Sequence, residues 1–257
     1  MTRPREDGLE RREFKYLVSA DVLPRLRRAI ATTCAPDRYA GPDGAYRIRS
    51  LYLDTPRYDL FHANAREAPE RFKARVRCYP GGSSPVFLEI KKRCLDTIVK
   101  TRASVPADRW QGIVESRVPA ADDDGTSRSA RAREGFLALV HTYHLRPVVL
   151  VEYLREAYVS TVDLYARVTF DTRITCQSRH VLDLGAAAHR WRIVPHPGRT
   201  VMEPAYAVVE LKFGRTAPAW MIALVQRFDL LRQSFSKYGH SLRAELALPT
   251  VRVPAVR

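Results

Sequence analysis

Phe72-Lys73-Ala74-Arg75-Val76-Arg77-Cys78-Tyr79 is the clearest alternation in the chain. Successive side chains of a β-strand point to opposite faces. Lys73, Arg75, Arg77 and Tyr79 therefore share one face, and Phe72, Ala74, Val76 and Cys78 the other. The apolar face can join a core. The cationic face cannot be buried unpaired and has to meet water, carboxylates or a polyanion. Pro80-Gly81-Gly82-Ser83-Ser84-Pro85 is a turn signal and Val86–Lys92 reads as the returning strand, so the pair is an antiparallel hairpin.

The returning strand carries a second pattern. Glu13-Phe14-Lys15, Glu89-Ile90-Lys91 and Glu210-Leu211-Lys212 each put a carboxylate and an ammonium on one strand face and an apolar residue on the other. One such triplet is an ordinary salt-bridged surface pair. Three on apolar strands, in a chain of 43 Lys+Arg that otherwise prefers Arg, suggest a shared surface for phosphates, where a compact ammonium and a planar guanidinium play different parts.

Outward from these strands, Phe14–Val18, Tyr46–Leu53, Thr97–Val105, Pro147–Leu154, Leu164–Asp171 and Tyr206–Phe213 also read as strands. Helices are predicted near 20–31 (capped by Ser19), 58–65, 107–116, 131–144, 217–232 and 236–242, with a polar surface loop at 119–130. About eight antiparallel strands with few helices predict an α+β protein on a sheet or closed barrel. Residues 1–9 and 246–257 read as tails around one domain spanning 10–245. In a barrel the i, i+2 sets Glu13/Lys15, Lys73/Arg75/Arg77, Glu89/Lys91, Tyr153/Arg155, Tyr165/Arg167 and Glu210/Lys212, with Arg47/Arg49 or their neighbours, would line the lumen. Eight strands enclose room for one elongated ligand.

The bulk numbers agree with a polyanion partner. Net charge is +15 and the pI about 10; a generally basic, Arg-rich proteome would produce the same numbers. Four cysteines without C-x-x-C spacing argue against zinc and disulfides and point to the cytoplasm. No run approaches the length of a membrane span, so peripheral attachment to a membrane would need a partner subunit in the membrane. There is no P-loop, kinase motif set or dinucleotide turn, and the seven histidines are scattered. Carboxylates interleaved with cations, without His or Cys, suit Mg²⁺ or Mn²⁺. The Lys73-Arg75-Arg77 face would also serve as a solvated nucleic-acid surface, though nucleic acid is the less favoured partner.

The ordered set Glu13-Phe14-Lys15-Tyr16, Ser50-Leu51-Tyr52-Leu53-Asp54-Thr55, Lys73 to Tyr79, Glu89-Ile90-Lys91, Tyr153-Leu154-Arg155, Val168-Thr169-Phe170-Asp171, Glu210-Leu211-Lys212 and Ser236-Lys237-Tyr238 resembles the VTC domain. This is the polyphosphate polymerase domain of the CYTH, or triphosphate tunnel metalloenzyme, superfamily. The resemblance implies an antiparallel eight-stranded tunnel barrel with surrounding helices. It implies transfer of the ATP γ-phosphate to a growing polyphosphate chain with Mn²⁺ or Mg²⁺. By position, Lys15, Arg75, Arg77, Lys91, Arg155 and Lys237 match the phosphate-binding, catalytic cations. Lys73, Lys100, Tyr153, Arg167, Lys212 and Ser236 are expected to bind substrate. Glu210 matches the metal ligand, and Glu13 and Glu89 are weaker candidates that would bind metal or orient the cations. Arg11 stands where the wider superfamily has its first acidic residue, which resembles the polymerase branch. A triphosphatase in the same tunnel and a non-catalytic polyanion-binding module are the alternatives.

Overall fold

A computed structural model describes residues 12–81, 85–95, 97–116, 128–163, 165–195 and 206–246. Arg11, most of the polar loop at 119–130 and both expected tails (246 excepted) lie outside them. The strands are β1 (Arg12–Ser19), β2 (Cys34–Pro36), β3 (Tyr46–Asp54), β4 (Glu70–Cys78), β5 (Val86–Cys94), β6 (Thr97–Val105), β7 (Arg146–Ser160), β8 (Ala166–Ser178), β9 (Arg192–Ile193) and β10 (Tyr206–Phe213). The helices are α1 (Leu23–Ile30), α2 (Asp59–Ala65), α3 (Trp110–Glu115), α4 (Arg128–Thr142), α5 (Ala219–Arg227) and α6 (Lys237–Glu245).

All strand pairs are antiparallel. The main path is β1-β10-β8-β7-β3-β4-β5-β6, with β2 on β7 and β9 on β8. The fold is thus the expected α+β sheet of eight main strands, curled into a tunnel but not closed by a backbone ladder between β1 and β6. Two features stand at that seam. Arg232 makes an antiparallel bridge to Tyr16 and the Gln233 N–H donates to the Lys15 carbonyl (2.9 Å), so the stretch before α6 lies on β1. Glu13 of β1 reaches Lys91 of β5 (3.8 Å) and Lys100 of β6 (3.4 Å).

Period-2 alternation separates the two faces of this sheet. On the outer face, Ala74, Val76, Leu88 and Ile90 pack with Trp110 of α3 and Phe136 of α4, while Val168, Leu211 and Phe213 pack with Leu26 of α1 and Met221 of α5. The inner face is polar over only part of its area. Ile48, Tyr52, Val149, Val151, Ile174 and Val208 form an apolar floor that receives Tyr238 and Leu242 of α6. The sequence reading missed this floor because alternation tells which residues share a face and not what covers them.

Differences from the expected elements have local causes. Ser19 makes no side-chain cap; a 3₁₀ turn (Ala20–Val22) precedes α1, which has Pro24 in its first turn. α5 stops at Arg227, because Asp229 takes a left-handed φ of 46° and the chain turns toward β1. β7 and β8 run well past their expected ends and meet through a register shift near Glu152/Leu154. β2 is too short for a periodic signal.

Asp54 ties the plug to the sheet. Its carboxylate accepts the N–H groups of Thr55 (2.7 Å), Leu60 (2.9 Å) and Phe61 (2.8 Å) and the Tyr238 hydroxyl. Donors at the start of α2 and a residue of α6 thus share one buried acid. Asp54→Ala would leave several buried donors unpaired and is expected to cost about 3 kcal/mol or more. Tyr238→Phe, which keeps the ring stacked on Tyr52 (4.9 Å), should cost about 1–2 kcal/mol. Urea unfolding of the two variants checks both values.

Candidate active site

The polar part of the inner face is built from facing strand positions. Arg77 stands opposite Ser50, and Arg75 opposite both Tyr52 and Glu89. Lys73 stands opposite Lys91, and Lys91 opposite Lys100. Across the tunnel, Lys15 pairs with Glu210, Glu13 with Lys212, and Lys212 with Arg167. Register alone therefore brings most of the expected residues together, and α6 adds Ser236 and Lys237. The open expectation for β3 resolves toward the neighbours: Ser50 and Tyr52 face inward. Arg47 and Arg49 sit on the other face and bind Glu152 (3.6 and 2.7 Å), with Arg49 also donating to the Leu184 carbonyl. The one-residue offset follows from the hairpin register with β4.

Two carboxylates neutralise the deep end. Asp171 accepts a bidentate pair from Arg155 (2.6 and 2.7 Å) and contacts Lys237 Nζ at 2.5 Å. Glu210 lies within 2.7–3.6 Å of Lys212, Lys237, Arg155 and Lys15. Burial raises the pKa of each acid, but these cations outweigh it, lowering Asp171 and holding Glu210 well below the usual range. Lys237 is correspondingly raised despite its own burial, and its ammonium also lies 4.8 Å over the Tyr153 ring.

A second knot lies across the lumen. Glu89 accepts from Arg75 Nε (2.6 Å), contacts Arg102 Nε (2.8 Å) and lies 3.7 Å from Arg77. Burial pushes Glu89 up and the three guanidiniums pull it down to about 2. Arg75 also donates to Tyr52 Oη (3.2 Å), and Arg77 to Ser50 Oγ (3.2 Å) and Tyr153 Oη (3.4 Å). Glu89 thus holds three guanidiniums side by side.

The remaining lysines are left short of negative charge. Lys73 donates to the neutral Ser236 Oγ (2.9 Å); burial first, then Lys15 and Lys91, lower its pKa to about 7. Lys91 is lowered by burial to about 8, with Glu13 opposing the shift. Ser236 also caps α6 by accepting from the Gly239 N–H (3.1 Å). Lys15 donates to the Phe235 carbonyl (3.0 Å), which places the start of α6 against β1 and β4 at once.

Arg102, Tyr52 and Asp171 complete the site beyond the expected residues. Arg102 had a signal: it follows Lys100 by two on an alternating strand. Asp171 closes the Val168–Asp171 stretch of the resemblance and follows Arg167 by four, but its partners Arg155 and Lys237 come from other elements.

Among the described residues, no three His, Cys, Asp or Glu side chains converge as a metal cage. Glu13 and Glu210 each lie 3.6 Å from Lys15 Nζ, and Asp171 and Glu210 lie 2.5 and 3.4 Å from Lys237 Nζ. That donor set fits a hard cation carried on phosphates, which takes only one or two protein carboxylates. No helix among the described residues is long and apolar enough to cross a membrane, and all four cysteines are free.

The model of the VTC domain family matches residues 10–246. The chain belongs to the VTC domain family. Comparison with curated proteins finds no match. Among solved structures, this VTC domain is similar to a candidate adenylate cyclase from Bacillus halodurans, at 12% identity and a TM-score of 0.50, covering 89% of this chain and 94% of the other. That likeness is one of fold. A protein of Pyrococcus horikoshii OT3 matches at 14% identity and a TM-score of 0.38, covering 85% and 86%.

A bound polyanion would raise the pKa of Lys73 and Lys91 from about 7 and about 8. Binding is then tightest below these values and weakens as pH rises through them. Tripolyphosphate binding is expected to take up protons between about pH 7 and 9. Calorimetry in buffers of different ionisation enthalpy measures the uptake; a value of zero across that window would mean that both lysines are already charged.

Proposed function

We propose that this VTC domain is a phosphoryl-transfer enzyme that extends inorganic polyphosphate with the γ-phosphate of ATP. The observation that carries the reading is the surplus of cations on the inner face. Lys15, Lys73, Arg75, Arg77, Lys91, Lys100 and Arg102 stand on one connected surface with few carboxylates among them. Such a surface is stabilised by anions lying on it, and phosphoryl transfer needs mainly positioning and charge stabilisation.

In this reading Arg75, Arg77, Lys91 and Lys15 hold the phosphates, and Arg155 and Lys237 stabilise charge from the deep end. Lys73, Lys100, Arg167, Lys212, Tyr153 and Ser236 extend and orient the binding surface. Glu210, with Glu13 beside it, is the carboxylate that would face Mn²⁺ or Mg²⁺. Held there, such an ion would supply positive charge to offset that of the phosphates.

The state of the carboxylates favours a phosphate acceptor over water. Glu13, Glu89, Asp171 and Glu210 are all held below their ordinary pKa after burial is offset by cations. Acids so depressed are poor general bases for activating water. The terminal oxygen of a polyphosphate chain is already anionic and needs no base. A chain lying along several cations also stays bound between additions, which supports repeated transfer. ATP and polyphosphate are then the small-molecule partners, and the cytoplasm or the cytoplasmic face of a membrane is where this donor is met.

Incubation of the protein with ATP and Mn²⁺, followed by gel analysis of the product, is expected to yield long phosphate polymer. Orthophosphate without polymer would identify a triphosphatase, and binding without turnover a polyanion module. Arg75→Gln should lower kcat/KM by about 10²–10³-fold with little loss of stability, because Glu89 keeps Arg77 and Arg102. Lys91→Ala, at a half-exposed position, should act mainly on ATP affinity.

A further inference from the structure

The two ends of the basic surface are not alike. At one end stand Lys73, Lys91 and Lys100, with Arg71 and Arg93 facing each other one alternation beyond on β4 and β5. At the other end, six residues from Lys73 and so ~20 Å along an extended strand, stands Tyr79. It is half-buried and packs edge-on to Phe87 (5.9 Å, 83°) and tilted to Tyr46 (6.0 Å, 52°). Arg102 lies over this group. Its guanidinium carbon is 3.9 Å from the Phe87 ring centroid. It donates to Tyr79 Oη (3.0 Å) and its Nε is 2.8 Å from Glu89. The plane of Arg102 is thus held from three sides, and its side chain is still 45% exposed.

A phosphate chain needs cations along its length and gains nothing from aromatic rings. A planar, polarisable base does, because bases stack on aromatic faces and on arginine planes irrespective of sequence. Resting on the phosphoryl-transfer reading above, we propose that the Arg102 plane, stacked on Phe87 and held by the Tyr79 hydroxyl, is the site for the base of the nucleoside triphosphate donor. The donor then lies with its base at the Tyr79 end. Its triphosphate passes Arg75 and Arg77, and its terminal phosphate points toward Lys73, Lys91 and Lys100. The polymer grows out past Arg71 and Arg93. Phe87 and Tyr79 act on donor choice by supporting the Arg102 plane, and they leave phosphate binding to the cations.

Equilibrium binding of ATP, tripolyphosphate and base-free ribose triphosphate tests this without turnover. Wild type is expected to bind ATP about tenfold more tightly than ribose triphosphate, the order of one stacked base. Phe87→Leu and Tyr79→Leu should each remove most of that preference while tripolyphosphate affinity stays within about twofold. Equal affinity of wild type for ATP and ribose triphosphate overturns the proposal, as does a loss in Phe87→Leu that is the same for ATP and tripolyphosphate. A protein that shows the base preference but makes no polymer would sink the polymerase reading alone. A polymerase indifferent to Phe87 and Tyr79 would sink only the base site.

Discussion

Positive charge held inside a curled sheet is the constraint on which the molecule turns. An unpaired buried cation is costly, and the cost is lowered only by a carboxylate, by water or by a bound anion. The deep half of the tunnel uses carboxylates: Asp171 and Glu210 neutralise Arg155, Lys237 and Lys212. The outer half does so only in part, through Glu89 and Glu13. The consequence is visible in Lys73, whose proton is held less tightly than usual. A site that keeps some of its cations short of partners is prepared for a ligand that brings negative charge with it.

Plug and seam serve the same end. α6 fills the apolar floor with Tyr238 and Leu242 and carries Ser236 and Lys237 to the cations. Asp54 fixes that helix by binding Tyr238 and the start of α2 together. A sheet that is not closed by backbone pairing has β1 linked to β5 and β6 through one carboxylate, Glu13, and two lysines. Ion pairs with partly or fully exposed lysines are weak and salt-sensitive. The stability of the tunnel therefore rests on the outer core and the plug, and the seam contributes mainly to the field inside.

Much of the fold was legible because period-2 alternation is a local signal. β4 and β10 can be read with their faces, and in each Glu-x-Lys triplet the two charged residues share one strand face. Arg47 and Arg49 show the limit: they alternate as well as Ser50 and Tyr52 do, and only the pairing with β4 decides which set faces in. Asp171 and Arg102 show another. Local alternation gives each its face, but its role comes from partners on other strands or on α6, and such partners leave no pattern near the residue itself.

Local sequence thus determined the strands, their two faces and the chemistry on each, because side-chain alternation and charge are properties of neighbouring residues. Tertiary structure alone decided that the sheet curls without closing, that part of its inner face is an apolar floor under α6, and that Asp171, Glu210 and Lys237 meet. Those outcomes depend on register, twist and the packing of distant elements, and a carboxylate finds its cation only after the chain has brought them within a few ångströms.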